Sequence, residues 1–167
     1  MRDRRGLFTF PNPVDERAAR TVALGVVLLT ALTMATQWQI LLIALVYGFT
    51  ARVAAGPRFS PLGLLATRVV VPRLSGAPRL TPGPPKRFAQ AIGLMFSSTA
   101  LVLAVAGQGR AAGVVLLLLL LAASLEAFLG ICLGCRIFAV GMRVGLIPGR
   151  VCVACADLSR RQAGARP

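Results

Sequence analysis

Long apolar segments alternate along the chain with short polar or basic ones. The first apolar run covers residues 21–36 without a charge and reaches, with the alanines before it, about the 20 residues that cross the hydrocarbon of a bilayer. Trp38 stands in the polar break that follows, as is typical of the headgroup level, and a shorter apolar run comes after it. This pattern predicts two membrane-spanning helices, at about 17–36 and 39–55, that form a hairpin.

The second half of the chain repeats this arrangement. A third apolar run ends at a short Gly-Gln-Gly-Arg turn, and the run after the turn contains six consecutive leucines, Leu116 to Leu121. We predict two further spans, at about 88–107 and 111–135. The fold class is therefore all-α integral membrane, a four-transmembrane-helix bundle of two helical hairpins, and residues 1–167 form a single membrane domain.

The connection between the two hairpins, residues 56–87, is predicted to lie outside the membrane because it holds most of the prolines and several basic residues. Four apolar residues inside it recur at helical spacing up to Pro72, which predicts a short interfacial helix; a loop packed against the bundle is the alternative. These four are Phe59, Leu62, Leu65 and Val69. Four prolines then predict a stiff, extended strap: Pro78, Pro82, Pro84 and Pro85.

The first helix has its own start signal in the segment Phe-Pro-Asn-Pro-Val-Asp-Glu. Asn12 stands where an N-cap residue belongs, Pro13 suits the first helical position, and acidic residues follow in the first turn. We therefore expect the helix to begin at this segment.

The basic residues are distributed unevenly among the polar segments. The chain has 19 Lys and Arg against 5 Asp and Glu, a net charge of +14. All of the basic residues except Arg110 belong to the N-terminal part, to the central connection and its flank, or to the tail at 136–167. By the positive-inside rule both termini are predicted to be cytoplasmic, in a multi-pass protein of the cytoplasmic membrane. Nucleic-acid binding is not expected, since the basic segments lack interleaved aromatic residues.

Two Cys-x-x-Cys pairs are the most distinctive motif: Cys132 with Cys135 and Cys152 with Cys155, with sixteen residues between the pairs. The predicted orientation puts both pairs at the reducing, cytoplasmic side, so permanent disulfides are not expected. Three interpretations remain open. The four thiolates close a structural zinc site or hold an iron–sulfur cluster; the pairs act as redox dithiols; or the cysteines are buried structural residues.

Glu126 requires an explanation because it lies inside the predicted fourth span. An unpaired buried charge costs several kcal/mol, so the side chain is either protonated or partnered. It then serves as a proton carrier or ligand contact, or it joins helices structurally. Its candidate partners are Arg20, Tyr47, Arg52, Gln90, Ser97 and Ser98.

The residues that the chain lacks narrow its chemistry. No histidine occurs, which removes the commonest general base and the usual ligand of a catalytic zinc. No phosphate-binding glycine loop or paired-carboxylate site is visible either. Hydrolase or nucleotide chemistry is therefore not expected, and whether the protein is an enzyme stays open.

Four segments carry a resemblance to a known family: Phe10–Arg17, Gly56–Gly63, Pro82–Gln90 and Glu126–Cys135. With them the chain resembles the bacterial membrane family catalogued as domain of unknown function 4395, from Phe10 to about Ser159. The resemblance implies no particular activity. Members of that family are often encoded near thioredoxin-like and rhodanese-like proteins, which implies thiol or sulfur chemistry with such partners.

The leading hypothesis is a cytoplasmic-membrane protein whose dithiols carry out thiol redox or sulfane-sulfur handling with a thioredoxin-like or rhodanese-like partner. Its predicted catalytic residues are Cys132, Cys135, Cys152 and Cys155, with Glu126 as a proton site. One alternative is a non-enzymatic membrane subunit or scaffold whose tail is held by zinc on the same four cysteines, and another is a small sulfur-anion transporter. A homo-oligomer or a larger membrane complex is a further expectation, because four helices leave little room for a private cavity.

Overall fold

The computed structural model describes residues 10–74 and 77–146, and helices make up most of these two ranges. In chain order the elements are β1 (Val14–Asp15), α1 (Glu16–Thr36), α2 (Gln39–Ala55), a 3₁₀ turn (Gly56–Arg58), α3 (Pro61–Leu65), β2 (Leu80–Thr81), α4 (Gly83–Val105), α5 (Gly109–Ser124) and α6 (Leu133–Arg143). Helix α3 continues as π-helical turns at Ala66–Val70 and a 3₁₀ turn at Val71–Arg73. Helix α5 continues as π-helical turns at Leu125–Leu129.

Within residues 10–74 and 77–146, four helical segments are long and apolar enough to cross a membrane. They are Glu16–Thr36, Gln39–Arg73, Gly83–Val105 and Gly109–Leu129. Large apolar side chains such as Leu28 and Val102 are exposed on their outer surfaces, which suits lipid as the surrounding solvent. The chain is therefore an all-α, membrane-embedded protein, as its hydropathy pattern predicts.

The four long helices pack around one core, with α2 against α4, α4 against α5, and α1 against both α5 and α2. Eight buried apolar side chains form this core: Val26, Leu42, Leu45, Phe49, Ala100, Leu116, Leu119 and Ala123. Gly93 allows α2 and α4 to approach closely, because a Cβ at that position would overlap the ring of Phe49. A larger residue there would push the two helices apart.

The segment before α1 is extended, so the predicted helix start at Pro13 is wrong. Val14 and Asp15 pair antiparallel with β2, and the helix begins only at Glu16. Asp15 is the N-cap, since its Oδ1 accepts a 2.9 Å hydrogen bond from the backbone N–H of Arg17. Strand pairing therefore delays the helix by three residues relative to the Pro13 signal.

Asn12 bonds to a different helix from the one that it was predicted to cap. Its Oδ1 accepts a 3.1 Å hydrogen bond from the backbone N–H of Gly83, the first residue of α4. A Cβ at Gly83 would lie 2.6 Å from the carbonyl oxygen of Pro11, so only glycine permits this approach. The segments around Asn12 and Gly83 thus form one unit at the start of α1 and α4.

Helix α4 begins at Gly83, earlier than the predicted third span. Pro84 and Pro85, which were predicted to belong to an extended strap, lie in its first turn. A backbone N–H in the first turn of a helix has no intrahelical partner, so proline is tolerated there. The earlier start places Lys86 on a helix and not in a loop.

The predicted helix in the central connection is present, and its helical turns run from Pro61 to Arg73, close to the predicted end at Pro72. Ala66 is fully buried against α1, where it packs with Ala18 and Val22. Leu65 on the same element is 49% exposed. The helix therefore contacts the bundle through Ala66 and Leu62 and directs Leu65 outward, which suits a position in the membrane interface.

The fourth span ends earlier than its predicted limit at Cys135. The helical turns stop at Leu129, and Gly130 has a positive φ of 69°, which reverses the chain direction. A separate helix, α6, follows and packs against α4, because a Cβ at Gly134 would lie 2.5 Å from that of Ala89. The start of the predicted tail is thus a helix docked on the bundle.

Helix α6 is amphipathic. Phe138 is buried near Phe88, with ring centroids 5.6 Å apart, while Arg136 on the same helix is exposed. Four apolar residues recur at helical spacing on an exposed stripe: Leu133, Ile137, Val140 and Val144. Such a helix suits a position in the membrane interface with its apolar stripe toward lipid.

Candidate functional site

Cys132 and Cys135 lie at the start of α6. Cys132 is the N-cap residue of that helix and is buried, whereas Cys135, three residues later on the same side, is half-buried. Both are free thiols. Hydrogen bonding between the two side chains lowers the pKa of Cys132 and raises the pKa of Cys135, and the nearby ammonium of Lys86 also acts to lower the pKa of Cys132. Cys132 is therefore the more easily ionised thiol of the pair.

A buried ion pair lies beside the two cysteines. The Nζ of Lys86 donates to Oε1 of Glu126 at 2.6 Å, and the two side chains are only 8% and 14% exposed. Lys86 comes from the first turns of α4, and Glu126 comes from the π-helical turns after α5. The pair thus joins two spans and gives Glu126 the partner that a buried carboxylate requires.

Lys86 was not among the partners predicted for Glu126, because it was assigned to a loop outside the membrane. One signal in the sequence singles it out: it is the only lysine among 19 basic residues. A lysine offers a compact ammonium on a flexible stem, which suits a single carboxylate oxygen better than a planar guanidinium does. The separation of 40 residues between Lys86 and Glu126 hides the contact from any local pattern.

Arg52 forms a second buried polar contact close to the ion pair. Its side chain is 4% exposed, its Nε donates to Oε1 of Gln90 at 2.7 Å, and its Nη1 donates to Oγ of Ser60 at 3.0 Å. The guanidinium also lies 4.5 Å from the ring centroid of Phe49. Arg52 and Gln90, both predicted as partners of Glu126, are therefore bonded to each other.

The remaining predicted partners of Glu126 bond elsewhere. Tyr47 donates to the carbonyl of Phe59 at 3.2 Å, and Ser97 donates to the carbonyl of Leu94 at 3.1 Å. Arg20 donates to the carbonyl oxygen of Phe128 at 3.1 Å and so caps the end of the fourth span. Ser98 has no contact with Glu126 among the hydrogen bonds of the described residues.

Positive charge exceeds negative charge at this end of the bundle. The side chains of Arg52 and Lys86 are both more than nine-tenths buried, and Glu126 is the carboxylate that interacts with both of them. Burying an excess charge is costly, and a second anion close by lowers that cost. The thiolate of Cys132 is suited to supply it, since it interacts electrostatically with Lys86.

Two cavities adjoin this cluster. The larger, about 270 Å³, is lined by Cys132, Glu126 and Gln90 together with apolar side chains. The smaller, about 160 Å³, is lined by Arg52, Lys86 and Gln90 beneath the extended N-terminal segment. Gln90 therefore lines both cavities.

The predicted four-cysteine set is only partly within the described structure. Cys132 and Cys135 adjoin the Lys86–Glu126 pair, whereas Cys152 and Cys155 lie outside the described residues. Within 10–74 and 77–146, no three Cys, Asp or Glu side chains cluster closely enough to hold a metal ion. Zinc on all four cysteines therefore stays a prediction, as do the scaffold and sulfur-anion alternatives.

The described residues thus form a small membrane protein with four candidate spans and a Cys-x-x-Cys pair beside a buried lysine–glutamate ion pair. The chain belongs to the family described as Domain of unknown function (DUF4395), whose model matches residues 14–143. This confirms the resemblance seen in the sequence, and the matched part contains α1 to α6 with Lys86, Glu126, Cys132 and Cys135. No curated protein and no solved structure matches the chain.

Proposed function

We propose that this protein carries out thiol–disulfide exchange at one face of the membrane through Cys132 and Cys135. One observation carries the proposal: a buried cysteine at the N-cap of α6, with a second cysteine one turn later and the ammonium of Lys86 nearby. Helix N-termini and neighbouring cations both favour the thiolate, which is the reactive form of cysteine. The same thiolate is suited to accept sulfane sulfur from a persulfide.

The exchange starts from the oxidised protein, with a disulfide between Cys132 and Cys135. A thiolate of a partner dithiol attacks the sulfur of Cys135, the more exposed of the two, and Cys132 leaves as a thiolate. Its lowered pKa makes it a good leaving group. The second thiolate of the partner then attacks the partner's own sulfur in the mixed disulfide and releases Cys135. Two electrons pass to this protein, and the partner is left with a disulfide.

The partner proposed is a thioredoxin-like protein or, for sulfane sulfur, a rhodanese-like one, on the cytoplasmic side. The positive-inside rule supports this orientation for both termini. The pairing of β1 with β2 and the packing of α6 against α4 bring the described basic residues Arg17, Lys86 and Arg136 to the same end of the bundle, which supports it further.

The pH dependence of alkylation tests the proposed thiolate. We expect Cys132 to react with a small methanethiosulfonate reagent with a midpoint below the ordinary cysteine pKa of about 8.5, because its ionised form is favoured. Between pH 8 and pH 7 Cys132 should therefore react faster than Cys135, whose rate should fall about tenfold per unit below its raised pKa. Rates are read by mass spectrometry of the labelled peptides.

Two variants separate the causes of the lowered pKa of Cys132. Cys135→Ala and Lys86→Met should each raise the midpoint of Cys132, since each removes a group that favours the thiolate. Arg87→Met removes an equal charge from an exposed neighbour and should leave the midpoint unchanged. A midpoint for Cys132 at or above that of an ordinary thiol in the unaltered protein contradicts the proposal.

A further inference from the structure

The larger cavity gives access to Cys132 from inside the bundle. Its walls are mainly apolar side chains of α1, α2, α4, α5 and α6, and its polar groups are few: Cys132, Glu126 and Gln90. Cys132 is only 8% exposed, so a reagent that meets its sulfur from this side must be small enough to enter the cavity. A macromolecule is excluded from that approach by size.

Exposed apolar side chains border the cavity. Leu118, Leu133 and Ile137 line it and are also 50%, 40% and 54% exposed on the outer surface of α5 and α6. Leu118 lies within the most apolar of the four candidate spans, and the other two belong to the exposed stripe of α6. A cavity bordered by such side chains in a membrane protein favours ligands dissolved in the bilayer over ligands dissolved in water.

The polar groups of the cavity match carbonyl and hydroxyl oxygens. The Oε1 of Gln90 accepts from Arg52, which fixes the amide and leaves its N–H₂ as a donor with no partner among the residues that the structure describes. One carboxylate oxygen of Glu126 accepts a hydrogen bond from Lys86, and the other oxygen is available as an acceptor. A ligand with one carbonyl near Gln90 and one hydroxyl near Glu126 in its reduced form fits this arrangement.

We propose that this cavity binds a lipid-soluble quinone that oxidises the dithiol of Cys132 and Cys135; the inference rests on the proposed exchange function. A reactant that meets the dithiol in this cavity and converts it to a disulfide takes up two electrons and two protons. Quinones do so, and they diffuse within the bilayer. The apolar walls, the exposed apolar border and the oxygen-binding groups all suit that class.

The reaction balances without a further reactant. The S–H bonds of Cys132 and Cys135 break, one S–S bond forms, and two O–H bonds form on the quinone. The two thiols are oxidised by two electrons, and the quinone is reduced to a quinol that returns to the bilayer. The new disulfide then accepts electrons from the partner dithiol, so electrons flow from a soluble dithiol into the membrane.

Quinone reduction by the full-length chain in lipid nanodiscs tests this proposal. The protein is reduced, freed of reductant and mixed with duroquinone, whose fully substituted ring resists thiol addition. We expect one quinol per disulfide formed and no quinol from Cys132→Ser. Ala122→Phe, which fills the cavity, should slow the reaction at least about tenfold, whereas Ala31→Phe on the exposed face of α1 should not. Wild-type rates no faster than those of Cys132→Ser, or an Ala122→Phe rate equal to wild type, overturn the proposal.

A second reading of the same samples separates this inference from the exchange function. The disulfide form of each variant is mixed with a soluble dithiol peptide, and reduction of the protein is followed. Ala122→Phe should exchange at the wild-type rate, which also shows that it folds. Exchange with the peptide but no reaction with duroquinone rejects the quinone and leaves the exchange function standing, whereas failure of both reactions rejects both.

Discussion

Replacing Lys86 with methionine should cost about 3–5 kcal/mol of the free energy of unfolding, because it leaves the carboxylate of Glu126 buried without its partner. Their contact of 2.6 Å joins α4 to the end of the fourth span, and neither side chain has much access to water. When one partner is removed, the other charge stays buried without a counter-charge, and its desolvation cost lowers the free energy of unfolding. Denaturant titration of the protein in mild detergent measures the loss.

Two controls make that result specific to the ion pair. Arg87→Met removes a charge at the next, exposed position together with one hydrogen bond to the carbonyl oxygen of Val53, and should cost about 1 kcal/mol or less. The double variant Lys86→Met with Glu126→Leu should recover most of the loss, since an apolar pair of similar volume has no desolvation cost. Equal losses for Lys86→Met and Arg87→Met would mean that the pair is not a buried, coupled unit.

Replacing either cysteine of the pair with serine should lower disulfide exchange with a dithiol peptide by at least about 100-fold, because no intramolecular disulfide can then form. The two variants should differ in the adduct that they accumulate. Cys132→Ser leaves the more exposed thiol, so it should form a stable mixed disulfide with a peptide that carries an activated disulfide. Cys135→Ser leaves only a buried thiol and should form that adduct slowly.

The size of the reagent provides a control for the different reactivities expected of Cys132 and Cys135. A small methanethiosulfonate reaches both sulfurs and should favour Cys132, the more ionised thiol, whereas the peptide should favour Cys135, the more exposed one. Non-reducing electrophoresis and peptide mapping identify the adducts. The same preference for both reagents would contradict the division of roles between the two cysteines.

The membrane fold was predictable because a bilayer imposes a simple length rule. About 20 apolar residues are needed per span, and the hydropathy of the chain locates all four segments, although the second candidate span continues beyond the predicted residue 55 to Arg73 and the fourth ends before the predicted residue 135, at Leu129. The end of the fourth span was not predictable in this way. Gly130 stands among apolar neighbours, so hydropathy continues through it, and the break depends on its positive φ.

Helix α6 could have been found from the sequence. The spacing of Leu133, Ile137, Val140 and Val144 is that of an amphipathic helix, and the expectation of a soluble tail concealed it. The contact between Lys86 and Glu126 depends instead on the register of two spans that are far apart in sequence. To predict this contact, one would have to know that Pro84 and Pro85 lie in the first turn of a helix. Lys86 then belongs to the bundle and not to a loop.

Disulfide mapping of the full-length protein tests whether Cys132 and Cys135 form a working dithiol. The protein is purified from membranes without a chelator, oxidised mildly, digested and analysed by mass spectrometry, with zinc measured on the same sample. We predict a disulfide that links Cys132 to Cys135, that a soluble dithiol reverses, and less than about a tenth of an equivalent of zinc. Thiols that stay reduced, together with about one zinc per chain, would contradict a redox role for Cys132 and Cys135.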